Sequence, residues 1–357
     1  MKTPVAILAG GTGGHIFPGL AVAQALRGRG VDVLWIGARG RMETRLVPAH
    51  GFAFEAIDIS ALRGKGVLNL MLTPLRVVRA VWQAGTILRR AKPRAVVSFG
   101  GFAAGPSGLA AWLLRLPLFV HEQNSRPGLT NRSLARLARR VLLGFPGAFP
   151  ASRKTELVGN PVRAEIAALP SPEQRLAGRD GAVRILILGG SQGARALNLG
   201  VPDALGRLQG LFDVLHQCGK DQVDATCAAY AQATVQARVE PFIEDMAHTY
   251  AWADLVVCRA GALTLAEVCA AGLASVLVPL PTAADDHQSF NADYLVSHDA
   301  AVCVDEGEDF VARLTAAISV FTNDAGRRLA GARAARALAR PDAAMAVVTC
   351  ILNEARA

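Results

Sequence analysis

The stretch DLVVCRAGALTLAE, Asp254 to Glu267, decides how the chain is read. Leu255-Val256-Val257-Cys258 is an apolar run of strand length, and Arg259-Ala260-Gly261-Ala262 is a turn of mostly small residues. From Leu263 the spacing of Leu265, Val268 and Cys269 is helical. A strand that passes through a tight turn into a helix start presents unpaired backbone amides at the positive end of the helix dipole, a ready setting for a phosphate. Further on, Asp285-Asp286-His287-Gln288-Ser289-Phe290-Asn291-Ala292 offers donors and acceptors of the kind that sugar hydroxyls need. Together the two segments suit a nucleotide sugar. A purely structural reading stands beside this one. Thr264-x-x-Glu267 fits a capping box, with Thr264 as N-cap and Glu267 reaching back to its amide. Gly261 fits an ordinary turn residue, and Arg259 a solvated charge.

Outward from this stretch the same layout recurs. Arg184-Ile185-Leu186-Ile187-Leu188 enters Gly189-Gly190-Ser191-Gln192-Gly193-Ala194, and Val5-Ala6-Ile7-Leu8-Ala9 enters Gly10-Gly11-Thr12-Gly13-Gly14-His15. The glycine run from Gly10 has neither the GxGxxG spacing of a dinucleotide site nor the Lys-Ser/Thr ending of a P-loop. The glycines let a ligand approach the backbone. His15 falls where the loop becomes a helix, so a site role competes with a structural or solvated one. Further strands are expected at Val33–Gly37, Glu55–Ile59, Ala95–Gly101, Leu118–Asn124, Phe212–His216, Val239–Ile243 and Ala274–Pro279. Short apolar strands alternating with helical segments make this an α/β protein with parallel sheets covered by helices. Gly100-Gly101 and Glu122-Gln123-Asn124 then lie at strand C-terminal ends, where open α/β sheets collect ligands; an Asx turn is the plain alternative for Asn124. The loosened pattern at Pro146–Pro150 and Gly159–Arg163 marks a crossover between two units. The expected division is 1–161, 162–340 and an apolar C-terminal helix, 341–357, packing back on the first unit.

Bulk composition agrees. The 357 residues, 52% hydrophobic and 19% charged, suffice for two packed α/β units and exclude disorder. A formal net charge of +9 calls for an anionic partner: nucleic acid, a phospholipid surface or a phosphorylated substrate. No nucleic-acid motif is present, and 6% aromatic residues give few stacking platforms, which argues against a basic nucleic-acid module. Six scattered cysteines form no CxxC pair or zinc-like set and read as reduced thiols of a cytosolic protein. No metal site or cofactor is expected, with Asp285-Asp286 reading better as a sugar-side loop. Val5–Leu8 is too short for a leader, and no run reaches the ~18 apolar residues of a membrane span. Met71, Leu75, Val78, Val81 and Trp82, edged by Lys65, Arg76 and Arg79 and extended by Trp112 and Arg115, have the makeup of an apolar patch on an anionic membrane. The alternative is a helix packed on the sheet with a solvated basic face. Arg132, Arg136, Arg139 and Arg140 form a second basic cluster, open to the same plain reading.

Several motifs then occur in one order: GGTGGHIFPGLAVA from Gly10, ISALRGKG from Ile59, SFGGFAAGPSGLAAW from Ser98, HEQNSRPGLTNR from His121, FPGAF from Phe145, GNPVR from Gly159, GGSQGA from Gly189 and CRAGALTLAE from Cys258. Together they resemble the MurG family of UDP-N-acetylglucosamine transferases, which convert lipid I to lipid II in bacterial peptidoglycan synthesis. The resemblance implies a GT-B fold: two Rossmann-like domains facing across a cleft, the second binding UDP-GlcNAc and the first receiving lipid I. Carried over by motif, the donor site comprises Thr12, Gly13, Gly14, Asn124, Arg163, Ser191, Ile243, Ala262, Leu263, Thr264, Leu265, Ala266, Glu267 and Gln288. Glu267 is implied to hold the ribose hydroxyls, the backbone near Ile243 to read uracil, and Gln288, with Asn291 nearby, to face the GlcNAc. The implied reaction is an inverting transfer to the C4 hydroxyl of the N-acetylmuramoyl sugar. His15 is the expected base, assisted by Asn124 and His121. A lipid acceptor implies a peripheral enzyme on the cytoplasmic face of the inner membrane, in a step that serves cell shape and division, with other cell-wall synthesis proteins as candidate partners. The rival readings are another GT-B transferase with a lipid or antibiotic acceptor, and a UDP-GlcNAc 2-epimerase.

Overall fold

The computed structural model describes residues 3–59, 73–190 and 193–355. Lys65, Met71 and Ser191 lie outside them. The chain divides into two compact units, Met1–Arg163 with Asp342–Ala357, and Ala164–Pro341.

The first unit is built on seven strands: β1 Val5–Ala9, β2 Val33–Ala38, β3 Ala53–Ile57, β4 Ala95–Gly100, β5 Leu118–Glu122, β6 Arg140–Leu143 and β7 Thr155–Leu157. They form one parallel sheet in the order β3-β2-β1-β4-β5-β6-β7. Successive side chains of a strand point to opposite faces, so a strand covered on both sides must be apolar throughout. In β1, Val5, Ile7 and Ala9 join Ile16, Leu20 and Ala23 of helix Gly13–Gly28 and Val347, Val348 and Ile351 of helix Ala343–Glu354. Ala6 and Leu8 face Ala80, Ala84 and Leu88 of helix Thr73–Ala91 and Ala110 and Ala111 of helix Ala104–Leu113. The C-terminal helix is fixed further by Glu354, which pairs with Arg139 at 2.8 Å and Arg140 at 2.5 Å.

The second unit repeats the plan with β8 Val183–Leu188, β9 Phe212–Gln217, β10 Arg238–Glu240, β11 Leu255–Cys258, β12 Ala274–Leu277 and β13 Ala301–Cys303. Its parallel order is β10-β9-β8-β11-β12-β13. In both units the strand order reverses beside the first strand, between β1 and β4 and between β8 and β11. There the connections leave to opposite sides, and the crevice at the strand C-termini is where doubly wound sheets take ligands.

Some sequence expectations need correction. Arg139 and Arg140 are not on a helix face: helix Leu129–Ala135 ends before them and Arg140 opens β6. That strand, β7 and β13 escape the pattern because they are short, at three or four residues. The third strand starts at Ala53 rather than Glu55, and the run from Val239 leaves its strand after Glu240.

Candidate functional site

In the second unit the reversal lies between the Gly189–Gly193 loop and the turn after β11. Gly190 and Gly193 have φ of 77° and 75°, and a methyl on Gly193 would collide with the Cys218 carbonyl, so this loop requires glycine. The turn delivers helix Ala262–Ala271, whose N-cap is Gly261 with no side-chain capping bond. The capping-box reading therefore fails. The helix begins before Thr264, and Glu267 is 5% exposed with the Tyr250 hydroxyl donating to its Oε2 at 3.3 Å. With no capping side chain, the start of this helix presents its positive end to an anion.

The turn is held from behind. Arg259 is not solvated: its Nη1 donates to the carbonyls of Val278 and Pro279 at 3.1 Å each and pairs with Glu306 at 2.5 Å. Asn291 is fully buried and donates from Nδ2 to the Ala260 carbonyl at 3.1 Å. It anchors the turn and does not face a sugar, because the register of helix His287–Val296 sends Asn291, Ala292 and Leu295 inward. Gln288 is half-buried and accepts from the Leu280 amide at 3.0 Å through Oε1, which leaves its NH2 group for a hydroxyl. Leu263, Thr264 and Ala266 are half-buried, Ala262 is buried, and Leu265 is fully buried with its amide bonded to the Gly261 carbonyl. The Ile243 amide is engaged by Gln217 Oε1 at 3.2 Å, so a pyrimidine reaching that amide has to displace Gln217. Cys258 and Cys269 are buried, and burial pushes both thiols up to about 12, which removes them as nucleophiles at neutral pH.

In the first unit the reversal lies between Gly10-Gly11-Thr12 and Gly100-Gly101. Gly11, Gly100 and Gly101 have φ between 92° and 101°. His15, half-buried in the first turn of helix Gly13–Gly28, lies over Gly100: a methyl there would stand 3.2 Å from its Nε2. The other ring nitrogen, Nδ1, is 3.3 Å from the Gly10 carbonyl and 3.3 Å from Thr12 Oγ1. A carbonyl only accepts, so Nδ1 donates in its contact with Gly10. Thr12 and Gly14 are exposed and Gly13 half-buried, a rim open to a ligand.

Beside it, Glu122 at the end of β5 is 1% exposed and gathers its neighbours. Oε1 accepts from the backbone and side-chain amides of Asn124, at 3.0 and 3.3 Å. Oε2 accepts from Gly128 N–H at 3.2 Å and Asn131 Nδ2 at 3.0 Å. Burial raises its carboxyl, and these bonds oppose the rise. Asn131 continues the chain to Ser98, which accepts from Gly100 N–H. His121 does not join a ligand site. It is fully buried, bonded to the Gly159 carbonyl at 2.9 Å, and pushed down to about 4 by burial. Arg163, the last residue of this unit, lies 5.8 Å from the Phe17 ring centroid. Sequence reasoning missed Glu43, a fully buried carboxylate on the Gly11 amide; a glycine inside β2, Gly37, was the signal that another group passes close by.

On helix Thr73–Ala91, Leu75, Val78 and Trp82 are exposed at i, i+3 and i+7, which is one face, and Trp112 on the adjacent helix is exposed as well. Arg76, Arg79 and Arg115 are also exposed. Val81 leaves this patch, because its side chain packs against the core. No described helix is long and apolar enough to cross a membrane.

Comparison with known proteins decides the family. The glycosyltransferase family 28 N-terminal domain matches residues 5–143 and the family 28 C-terminal domain residues 184–347. Over 353 residues the chain is 62% identical to the UDP-N-acetylglucosamine--N-acetylmuramyl-(pentapeptide) pyrophosphoryl-undecaprenol N-acetylglucosamine transferase of Xanthomonas campestris pv. campestris (strain 8004), covering 99% of this chain and 82% of that one. It belongs to the MurG family of glycosyltransferases. A Xylella fastidiosa (strain M12) enzyme of the same name is 57% identical over 354 residues, 98% of this MurG-family chain and 96% of its relative. The crystal structure of Acinetobacter baumannii MurG superimposes with a TM-score of 0.84 at 40% identity, covering 99% and 100% of the two chains. The two Rossmann-like units are thus those of a GT-B fold.

Proposed function

We propose that this chain transfers N-acetylglucosamine from UDP-GlcNAc to the C4 hydroxyl of the N-acetylmuramoyl sugar of lipid I, with inversion, giving the β-1,4-linked lipid II of peptidoglycan synthesis. The observation that carries the reading is the 62% identity, running through both units, to a transferase of that name. Site chemistry supports it unit by unit. The uncapped start of helix Ala262–Ala271 suits the donor diphosphate, and Glu267, backed by Tyr250, suits the ribose hydroxyls. Gln288 offers its NH2 group to the GlcNAc, and the Ile243 backbone meets the uracil once Gln217 swings away. Ser191, Thr12, Gly13, Gly14 and Asn124 complete the donor set, and Arg163 meets the charge on departing UDP.

His15 takes the proton of the attacking hydroxyl on Nε2. A base at this point has to be neutral when the hydroxyl arrives. His15→Ala then lowers kcat by roughly a hundredfold or more while donor affinity stays near wild type. The exposed Leu75, Val78, Trp82 and Trp112, with Arg76, Arg79 and Arg115, support docking of the first unit on an anionic membrane, in keeping with a peripheral enzyme on the cytoplasmic face of the inner membrane. The test is UDP release from UDP-GlcNAc with and without a lipid I analogue. Acceptor-dependent release supports transfer. Donor binding with no acceptor-dependent release leaves a UDP-sugar protein of other function.

A further inference from the structure

Gln217, the last residue of β9, is held very differently in its backbone and in its side chain. The backbone is locked. It pairs with Leu188 of β8 and Glu240 of β10, and its carbonyl accepts from the Gly189 amide at 3.0 Å, at the root of the glycine loop. The next residue is fixed as well, with the Cys218 amide on the Glu240 carbonyl at 2.9 Å. The side chain is held by one bond. Its Oε1 accepts from the Ile243 amide at 3.2 Å, and among the described residues it makes no other hydrogen bond. Rotation of the side chain therefore clears the Ile243 amide without disturbing β9 or the glycine loop.

The group that Gln217 supplies is a carboxamide oxygen. Uracil offers the same chemistry at C2 and C4, a planar carbonyl beside a ring nitrogen. Ile243 is 7% exposed, so its amide has little access to water and depends on an acceptor from the protein or from a ligand. One N–H makes one good hydrogen bond, so the glutamine oxygen and a base oxygen take the position in turn.

We propose that Gln217 is an internal competitor for the uracil. Its carboxamide satisfies the base-reading amide while the donor site is empty and returns to it as UDP leaves. This rests on the reading of the Ile243 backbone as the uracil contact. Exchanging one carbonyl for another leaves the amide with the same number of bonds, so the base draws little net affinity from it. The apparent dissociation constant is the intrinsic one divided by the fraction of molecules in which the amide is open. The hold on UDP-GlcNAc and on product UDP, which share the base, is loosened equally. The empty site meanwhile keeps its shape, and UDP inhibits the next turnover less than an open amide would allow.

The test is binding of UDP and of uridine to Gln217→Ala by calorimetry, with UDP inhibition of turnover alongside. Removing the glutamine oxygen leaves only water to compete for the amide. The Kd of UDP should fall about three- to tenfold, the worth of one competing hydrogen bond. Uridine should gain by the same factor, because only the base is concerned, and UDP should inhibit turnover at correspondingly lower concentration. A glutamine that merely braces the Ile243 segment gives the opposite sign, weaker binding of both ligands. That result, or unchanged affinity, overturns the proposal. A crystal structure of the wild-type chain with UDP tests it without any variant. The expected complex has a base oxygen on the Ile243 amide and Gln217 turned away. Uracil beside Ile243 with Gln217 still on the amide overturns the proposal and keeps the uracil reading. Uracil bound elsewhere removes the uracil reading, and the proposal with it, so the two failures are distinguishable.

Discussion

Mild acid provides a test of the buried histidine of the first unit. His121 is fully buried, its Nε2–H donating to the Gly159 carbonyl and its Nδ1 facing Gln123 Nε2 at 3.2 Å. A second proton would set an N–H against an N–H, in a place water does not reach. Burial accordingly lowers the imidazole from 6.5 to about 4. The unfolded chain binds a proton as the pH falls through 6.5 and the folded chain does not until about 4, so stability is intact above 6.5 and falls as the pH drops between the two values. The gap of about 2.5, at about 1.4 kcal/mol per pH unit, caps the loss at about 3 kcal/mol, of which about 2 kcal/mol is gone by pH 5. In the second unit His216, between the Tyr230 hydroxyl and Asn198 Oδ1, is lowered to about 3 by burial and weakens that unit in the same direction. The His121 share is therefore read as a difference. His121→Gln, whose amide can still donate to Gly159, is compared with wild type by urea unfolding at pH 7 and pH 5. Wild type should lose about 2 kcal/mol more than the variant between the two, a midpoint difference of about 1 M. Equal losses would refute the reasoning and mean that His121 is already charged in the fold or open to water.

Other perturbations address the donor turn and the surface. Glu267→Gln keeps the volume and removes the charge that Tyr250 supports, so donor KM should rise by roughly tenfold or more, with donor binding by calorimetry as the check; unchanged affinity would take Glu267 out of the site. Arg259→Met strands the Val278 and Pro279 carbonyls and Glu306, and should destabilise the second unit by about 2–4 kcal/mol in calorimetric unfolding; a loss under about 0.5 kcal/mol would show the bonds to be dispensable. Reversing Arg76 and Arg79 to Glu, together with Trp82→Ser, should abolish flotation with anionic liposomes, and flotation equal to wild type would leave the patch without its assigned role.

The doubly wound plan was legible because strands buried on both faces leave apolar runs such as Val5–Ala9 and Leu255–Cys258, the first of them running into Gly10, where a methyl would collide with Glu43. The candidate site was legible where its shape rests on backbone: the glycine loops and the helix start after Gly261. It was less so where a side chain's role depends on what packs against it. Thr264-x-x-Glu267 obeys the capping pattern, but Tyr250, 17 residues away, engages the glutamate. Asn291 sits in a polar segment that reads as sugar-facing, and helix register turns it inward to the Ala260 carbonyl. Glu43 is accommodated because Gly10, just past β1, and Gly37, within β2, leave a slot for it, a relation that local spacing does not carry.

The central claim is that this chain joins two sugars with inversion on a lipid-linked acceptor. The most direct measurement is to incubate it with UDP-GlcNAc and a lipid I analogue, isolate the product, and determine the new glycosidic linkage by mass spectrometry and proton NMR coupling. A β-1,4-linked N-acetylglucosaminyl-N-acetylmuramoyl product, formed mole for mole with UDP, is the predicted result. An α linkage, or UDP appearing with free sugar and no disaccharide, would contradict it.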